Sequence, residues 1–476
     1  MRRLVFLLLV LASVFPLSAA RPAAPEAPPQ PPLPRDVVRY GPAYRYTQDG
    51  WIVVHVEGEP YARGYQQGRL LSKEIVANIQ SLGADRAPKA PADGWKAARQ
   101  VANALVLRKI DREFLEEMKG IADGAADAGA TVEDRDVDLV DVVALNAWME
   151  IDSLDSALDT MPTGLEGKTF PRPGPPRAPA PHAPRKDHCS AFIATAPATA
   201  DGRIVFGHIT MSGLSAGPFV NVWLDVQPKA GHRFVMQGFP GAVWSSQDYY
   251  INDAGILLCE TTINQTPLDA SGSSLVSRAR KAIQYGESID GVVKALSEKN
   301  NGLYANEWLI GDLKTNEIAM LDLGTKATRL WRSSKNQWFE GTKGFYWGCN
   351  NAKDPDVRAE ALPADPDGER EKAEWEADGR DKAWLKFYAL YAGKIDAAAA
   401  KKALTSPPLA APSSLDAKYT TADLAKQLTS HAIYGPPHGK TWKPTEDELR
   451  TRPDLKPLEP HPWTLLTIAA PPAAKK

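Results

Sequence analysis

The sequence predicts a layered α+β sandwich, and three observations carry that prediction. Apolar residues repeat at helical spacing before residue 160, and the period becomes that of strands after residue 188. Two helical stretches then interrupt the strands. Between the first two regimes lies a tract too rich in proline to pack into either.

The elements follow in order. Residues 1–20 carry Arg2 and Arg3, an apolar run from Leu4 to about Leu17, and then Ser18-Ala19-Ala20. This is the pattern of a secretory signal, because the run is short for a bilayer span and small residues follow it. A retained N-terminal anchor is the other reading. Residues 21–40 form a spacer whose proline runs exclude helix and ladder. The N-terminal, mainly helical part spans 41–160: a strand at 51–56, a helix at about 61–82, and further helical spacing through 95–127 and 136–150. Gly64 and Gly68 share one helix face, where missing side chains let another backbone come close. Asn146 reads as a core or capping amide.

Seven of the 40 prolines fall in 21–36 and eight in 160–188, so residues 161–188 are a linker or propeptide. From 189 to 465 the chain is sheet-rich. Strands are expected at 191–195, 203–207, 219–226, 233–236, 256–259, 308–312 and 317–322, with a hairpin turn at 200–202 and helices at 274–285 and 289–299. The last third reads as helices at about 380–404 and 421–430 between polar loops.

With 56 basic and 58 acidic residues, the chain lacks the electrostatic footprint of a nucleic-acid or anionic-membrane partner. Three cysteines, none in a CxxC pair, make neither a disulfide scaffold nor a structural zinc site. The signal implies a secreted or periplasmic protein without stable membrane insertion once the signal is removed. In an oxidising compartment an odd count leaves at least one thiol unpaired. The pairing of Cys259 with Cys349 stays open.

Cys189 begins a strand directly after the proline tract, in Asp187-His188-Cys189-Ser190-Ala191-Phe192. Cys259 instead sits inside an apolar run, as structural cysteines do. Cleavage between His188 and Cys189 would put a thiol and an α-amine on one residue. With pKa values of about 8.5 and 7.7–8.0, the two can exchange a proton near neutral pH. An ordinary strand cysteine after a long loop is the competing reading.

Asp187-His188-Cys189-Ser190-Ala191 followed by Gly207-His208-Ile209-Thr210 resembles the phospholipase B-like family. So do Phe239-Pro240-Gly241, the run from Ser245 to Tyr250, Glu260-Thr261-Thr262-Ile263, and the run from Asn301 to Trp308. Gly58-x-Pro60-x-x-Arg63-Gly64-x-x-x-Gly68 is similar to the start of the related penicillin acyltransferases. The resemblance implies an N-terminal nucleophile hydrolase, an αββα sandwich matured by self-cleavage before its cysteine. Relatives include penicillin V acylases and bile salt hydrolases. This chain departs from the pattern at His188, around Ser246-Gln247 and throughout its last third.

The expected machinery is Cys189 as nucleophile, with His208 brought back beside it by the hairpin to orient the amine or thiol. Asn264 is the first choice for the oxyanion donor and Asn306 the second, and Thr262 is expected to hold the amine. Trp244, Tyr249 and Trp308 suit an apolar acyl pocket, and Arg278, with Arg280 beside it, a substrate carboxylate or phosphate. His431 and His438 do not form a zinc pair, and no metal or cofactor is expected. The function read from these residues is an exported acyl hydrolase. It would act on an amide or ester of a lipid or small N-acyl substrate through a thioester on Cys189. A non-catalytic binding scaffold of the same fold is the alternative. A papain-like protease is a third reading, disfavoured because Cys189 begins a strand and no Cys-Gly-Ser-Cys string is present.

Overall fold

The computed structural model describes residues 37–159, 189–361 and 374–468. The expected signal, most of the spacer, the 161–188 linker and His188 lie outside the described residues.

Alternating side chains make two sheets that share an interior. In Trp51–Gly58, Trp51 and Val53 face one way while Val54 and Val56 face the other, each set into its own apolar cluster. This strand belongs to a ten-stranded sheet that runs from Val38–Tyr40 at one edge to Thr328–Arg332 at the other. Its neighbours pair antiparallel except Trp51–Gly58 with Val222–Pro228, which are parallel. A six-stranded antiparallel sheet has the order Phe345–Gly348, Cys189–Ala194, Val205–Thr210, Asp416–Thr421, Ser430–Tyr434, Thr464–Leu466.

Trp51, Trp223, Leu257 and Leu309 of the large sheet pack against Ala191, Ile193, Phe206 and Tyr346 of the small one. The outer face of the large sheet is covered by helices that include Pro60–Arg86, Arg112–Asp127, Leu139–Asn146 and Leu275–Gln284. Gly379–Tyr391 and Ala397–Leu404 cover the small sheet. The layers are therefore helix, sheet, sheet, helix: the αββα sandwich.

The early glycine pattern has a physical role. A Cβ on Gly64 would lie 2.0 Å from the Glu117 carbonyl oxygen, and one on Gly68 would lie 2.1 Å from that of Ile121. Gly120 and Gly124 reciprocate against Tyr61 and Tyr65, so the two helices touch backbone to backbone. Beside this seam Arg63 and Arg280, both buried, converge on the buried Glu117 at 2.6 and 2.9 Å. Arg280 therefore holds structure together and is not free for a substrate anion.

The last third departs from expectation. Only 422–425 of the expected 421–430 helix is helical, and the small sheet takes three of its strands from this region. Asp416–Thr421 alternates Asp416, Lys418 and Thr420 with Ala417 and Tyr419, yet both sets are buried. Its polar stripe is thus invisible as an interior strand in the sequence. Tyr249–Asn252 and Phe345–Gly348 are further strands too short to signal themselves. Among the described residues no helix is long and apolar enough to cross a membrane.

Candidate active site

Cys189 opens its strand and pairs with Thr210, and Ala191 pairs with His208. Residues two apart on a strand share a face, so the hairpin turned at Gly202, with φ of +76°, returns His208 to the face of Cys189. The Cys189 Sγ, a ring nitrogen of His208 and a carboxylate oxygen of Asp248 all lie within 4.8 Å of one another. Cys189 is 2% exposed and the other two are equally enclosed.

His208 Nε2 lies 3.0 Å from the Glu260 carbonyl oxygen. A carbonyl can only accept, so Nε2 carries the proton and a neutral ring keeps a lone pair on Nδ1. Nδ1 is buried and has no partner among the described residues. Burial and the Lys418 ammonium hold the imidazole well below its ordinary pKa, which keeps it neutral. Burial and the carboxylates of Asp248 and Glu260 push the Cys189 thiol up, so in the uncleaved chain it stays protonated. Asp248 and Glu260 face each other in the same enclosure. Burial raises both, first of all, and their mutual repulsion raises Glu260 further. The pair therefore holds a proton where isolated carboxyls would have lost it. Lys418 closes the enclosure, its Nζ donating to Asp416 Oδ1 at 2.8 Å, Thr210 Oγ1 at 2.6 Å and the Gln247 carbonyl at 3.3 Å.

The Cys189 backbone nitrogen donates to Asn350 Oδ1 at 3.0 Å, and Asn350 Nδ2 donates to the Thr262 carbonyl at 2.7 Å. Arg380 donates to the Cys189 carbonyl oxygen and, at 2.8 Å, to Asn350 Oδ1. The nitrogen that cleavage would turn into an α-amine is thus held by Asn350. Thr262, the residue expected in that role, contributes only its carbonyl, one link away.

Asn306 begins its strand opposite Thr262 and is buried, and neither its Oδ1 nor its Nδ2 has a partner among the described residues. Asn264 is exposed on the following loop. Of the two, only Asn306 is a buried amide without a partner among the described residues.

The expected pocket residues are seated elsewhere. Tyr249 lies in the core between the sheets, its hydroxyl 3.0 Å from Ser430 Oγ. Trp244 donates to the Asn146 carbonyl at 2.9 Å, and Trp308 packs under the helical layer. Arg278 is buried, with Nη1 on the Leu296 carbonyl at 2.6 Å and Nη2 on Asn301 Oδ1 at 3.2 Å. None of these four lines the cavity beside the site. That cavity, about 530 Å³, is bounded by Leu82, Trp148, Met149, Phe219, Ser246 and Gln247 among others. It ends one residue from Asp248 and lies within the usual size of a small-molecule pocket. Asn146 is a core amide, as expected: Nδ2 donates to the Val142 and Gly241 carbonyls and Oδ1 accepts from Val243.

Sequence reasoning passed over Asp248, Glu260, Asn350, Arg380 and Lys418. Asp248 and Glu260 lay inside strings already singled out, and Asp248 has a left-handed φ of 60° that non-glycine residues rarely adopt. Lys418 and Asn350 reach the site through pairing of the small sheet and Arg380 from the helix that covers it, and none carried a local signal. All three cysteines are free, so Cys259 and Cys349 are not paired. Thiolate, imidazole and carboxylate are also the ligand types of zinc, but three donors around Cys189 leave that set one short of a closed site.

The family-like strings lie within a wider similarity to known proteins. The phospholipase B family profile matches residues 106–328, just under half of the chain. An uncharacterized protein of Archaeoglobus fulgidus is 30% identical over 282 residues, 56% of this chain and 42% of that protein. Phospholipase B-like 3 of Caenorhabditis elegans is 29% identical over 188 residues, 34% of this chain and 30% of that protein. The matches span under half the length of these relatives. Among solved structures, the Caenorhabditis elegans N-acylethanolamine-hydrolyzing acid amidase ortholog aligns with a TM-score of 0.35 and 9% identity, over 50% of this chain and 94% of that one. A conjugated bile acid hydrolase variant from Clostridium perfringens aligns with a TM-score of 0.31 and 10% identity, over 52% and 89%. In sequence, from residue 106 to residue 328, the chain is similar to the phospholipase B-like family.

Proposed function

We propose that the protein is an exported acyl hydrolase of the N-terminal nucleophile type, activated by cleavage between His188 and Cys189. The observation that carries this reading is the placement of Cys189. It is the first residue of an interior strand, its sulfur lies beside His208 and Asp248, and its nitrogen is held by Asn350.

The chemistry follows from these positions. In the precursor, the Cys189 sulfur attacks the His188 carbonyl carbon and the proton passes to the departing nitrogen. That displacement frees the α-amine of Cys189, and water then opens the thioester, leaving a carboxylate on His188 and returning the thiol. In the mature chain that amine, oriented by Asn350, takes the thiol proton as sulfur attacks the carbonyl of an amide or ester. The Asn306 amide is the donor available for the oxyanion. His208, with its proton fixed on Nε2, offers the Nδ1 lone pair inside the enclosure and orients sulfur or amine. The leaving amine or alcohol departs with the proton, and water releases the acyl group. The cavity at Ser246 and Gln247 would receive the substrate, a small N-acyl compound or acyl lipid.

Intact-mass measurement of the purified protein tests the reading. The expected result is two fragments, the heavier beginning Cys-Ser-Ala-Phe, with a single uncleaved species for Cys189→Ala. A wild-type chain that stays whole and shows no thiol-dependent acyl release would replace the enzyme with a binding scaffold of the same fold.

A further inference from the structure

A second concavity, about 1010 Å³, opens where the first turn of the Gly379–Tyr391 helix meets the 405–412 and 438–443 segments. Its wall is apolar, formed by Pro407, Pro408, Ala411 and Trp442. Three of its side chains offer donors. His438 Nδ1 accepts the Lys440 backbone N–H at 3.3 Å, so a neutral ring carries its proton on Nε2. That nitrogen is buried and has no partner among the described residues. Lys440 and Lys443 are exposed at the rim, and neither is ion-paired among the described residues. Asp378 is the one carboxylate in the lining. Its Oδ1 accepts the backbone N–H groups of Arg380 at 2.7 Å and of Asp381 at 2.8 Å.

An apolar wall beneath a buried imidazole N–H and two ammonium groups is complementary to an alkyl chain that ends in an anion. We propose that this groove binds a long-chain carboxylate, its chain along Pro407, Pro408 and Trp442 and its head against His438 Nε2–H, Lys440 and Lys443. The choice of a carboxylate among anionic amphiphiles rests on the acyl-hydrolase reading, because acyl hydrolysis releases one. The groove is separate from the cavity at Ser246 and Gln247. Arg380 connects it to the site: it lines the groove and also donates to the Cys189 carbonyl and to Asn350. Bound carboxylate would therefore share a wall with the residue that holds the strand of the nucleophile.

Calorimetric titration of sodium dodecanoate, kept below its micelle concentration, into the full-length Cys189→Ala chain measures binding in a protein that cannot turn over acyl groups. One saturable site is expected, with dodecanol and dodecyltrimethylammonium at least tenfold weaker. K440E/K443E should weaken dodecanoate at least tenfold and Ala411→Trp should remove it, whereas Met149→Trp, in the other cavity, should leave it unchanged. Absence of saturable binding, equal affinity for dodecanol, or loss on Met149→Trp with retention in K440E/K443E would overturn the assignment. Dodecyl sulfate binding tenfold more tightly than dodecanoate would overturn the choice of a carboxylate. Binding that follows the expected pattern, in a protein whose wild type releases no acyl group, would leave the groove standing and remove the hydrolase.

Discussion

Lys418 offers the sharpest test of how the enclosure is built. It stands opposite His208 in the small sheet and is fully buried. Its ammonium meets Asp416 Oδ1 at 2.8 Å, Thr210 Oγ1 at 2.6 Å and the Gln247 carbonyl at 3.3 Å. Asp416 is equally buried, and its other donors are neutral: Gln237 Nε2 at 2.7 Å and the Thr210 backbone N–H at 3.3 Å. Lys418→Met keeps the length and bulk of the side chain and deletes the charge, which leaves a carboxylate in the interior with two neutral donors. Orphaning one member of a buried ion pair costs about 3–5 kcal/mol. With a urea m-value of about 3 kcal/mol/M, the unfolding midpoint should drop by about 1 to 1.7 M. Asp416→Asn added to Lys418→Met removes the stranded charge and should restore more than half of the loss. Tryptophan fluorescence during urea unfolding follows both variants. A Lys418→Met midpoint within about 0.3 M of wild type, or a double variant no better than the single, would refute the reasoning.

Three other outcomes follow from the same geometry. Burial raises Asp248 and Glu260 above their unfolded values, so their contribution to stability is complete at low pH and is lost as pH rises through the folded values. Unfolding free energy should therefore decline from about pH 4, where a free carboxyl titrates, through about pH 7, to which Asp248 is raised, and Asp248→Asn should flatten that slope. Equal slopes would mean that the pair is ionised in the native state. Gly64→Ala puts a Cβ 2.0 Å from a carbonyl oxygen where ordinary contact begins at 3.4 Å, so the helices must part by about 3.4 − 2.0 = 1.4 Å. Overpacking of about 1–3 kcal/mol should outweigh the helix-propensity gain of about 1 kcal/mol and lower the Tm. Cys259→Ala, deep between the sheets, should cost about 1 kcal/mol and leave N-terminal processing intact by Edman sequencing. Loss of processing there would move the nucleophile away from Cys189.

The relation between sequence and site divides by distance along the chain. Period and turn residues were enough to place the first helix, the hairpin at Gly202 and the strand that Cys189 leads, because each arises within a few residues. The hairpin also sufficed for His208, since antiparallel pairing across a short turn leaves only one partner strand. The aromatic and arginine candidates failed for a different reason: Trp244, Tyr249, Trp308 and Arg278 have the chemistry of a pocket, but the layers bury them in contacts that residue type does not reveal.

The amino-acid order alone thus determined the layered class of the fold, the close helix seam at Gly64 and Gly68, and the position of one thiol at a strand start. Tertiary structure alone decided what surrounds that thiol. Asn350 comes from 161 residues away to hold its nitrogen, and Lys418 bonds Thr210 across 208 residues. Such contacts depend on which strands become neighbours in a sheet. Hydrophobic periodicity states that a strand has a buried face but not which partner covers it.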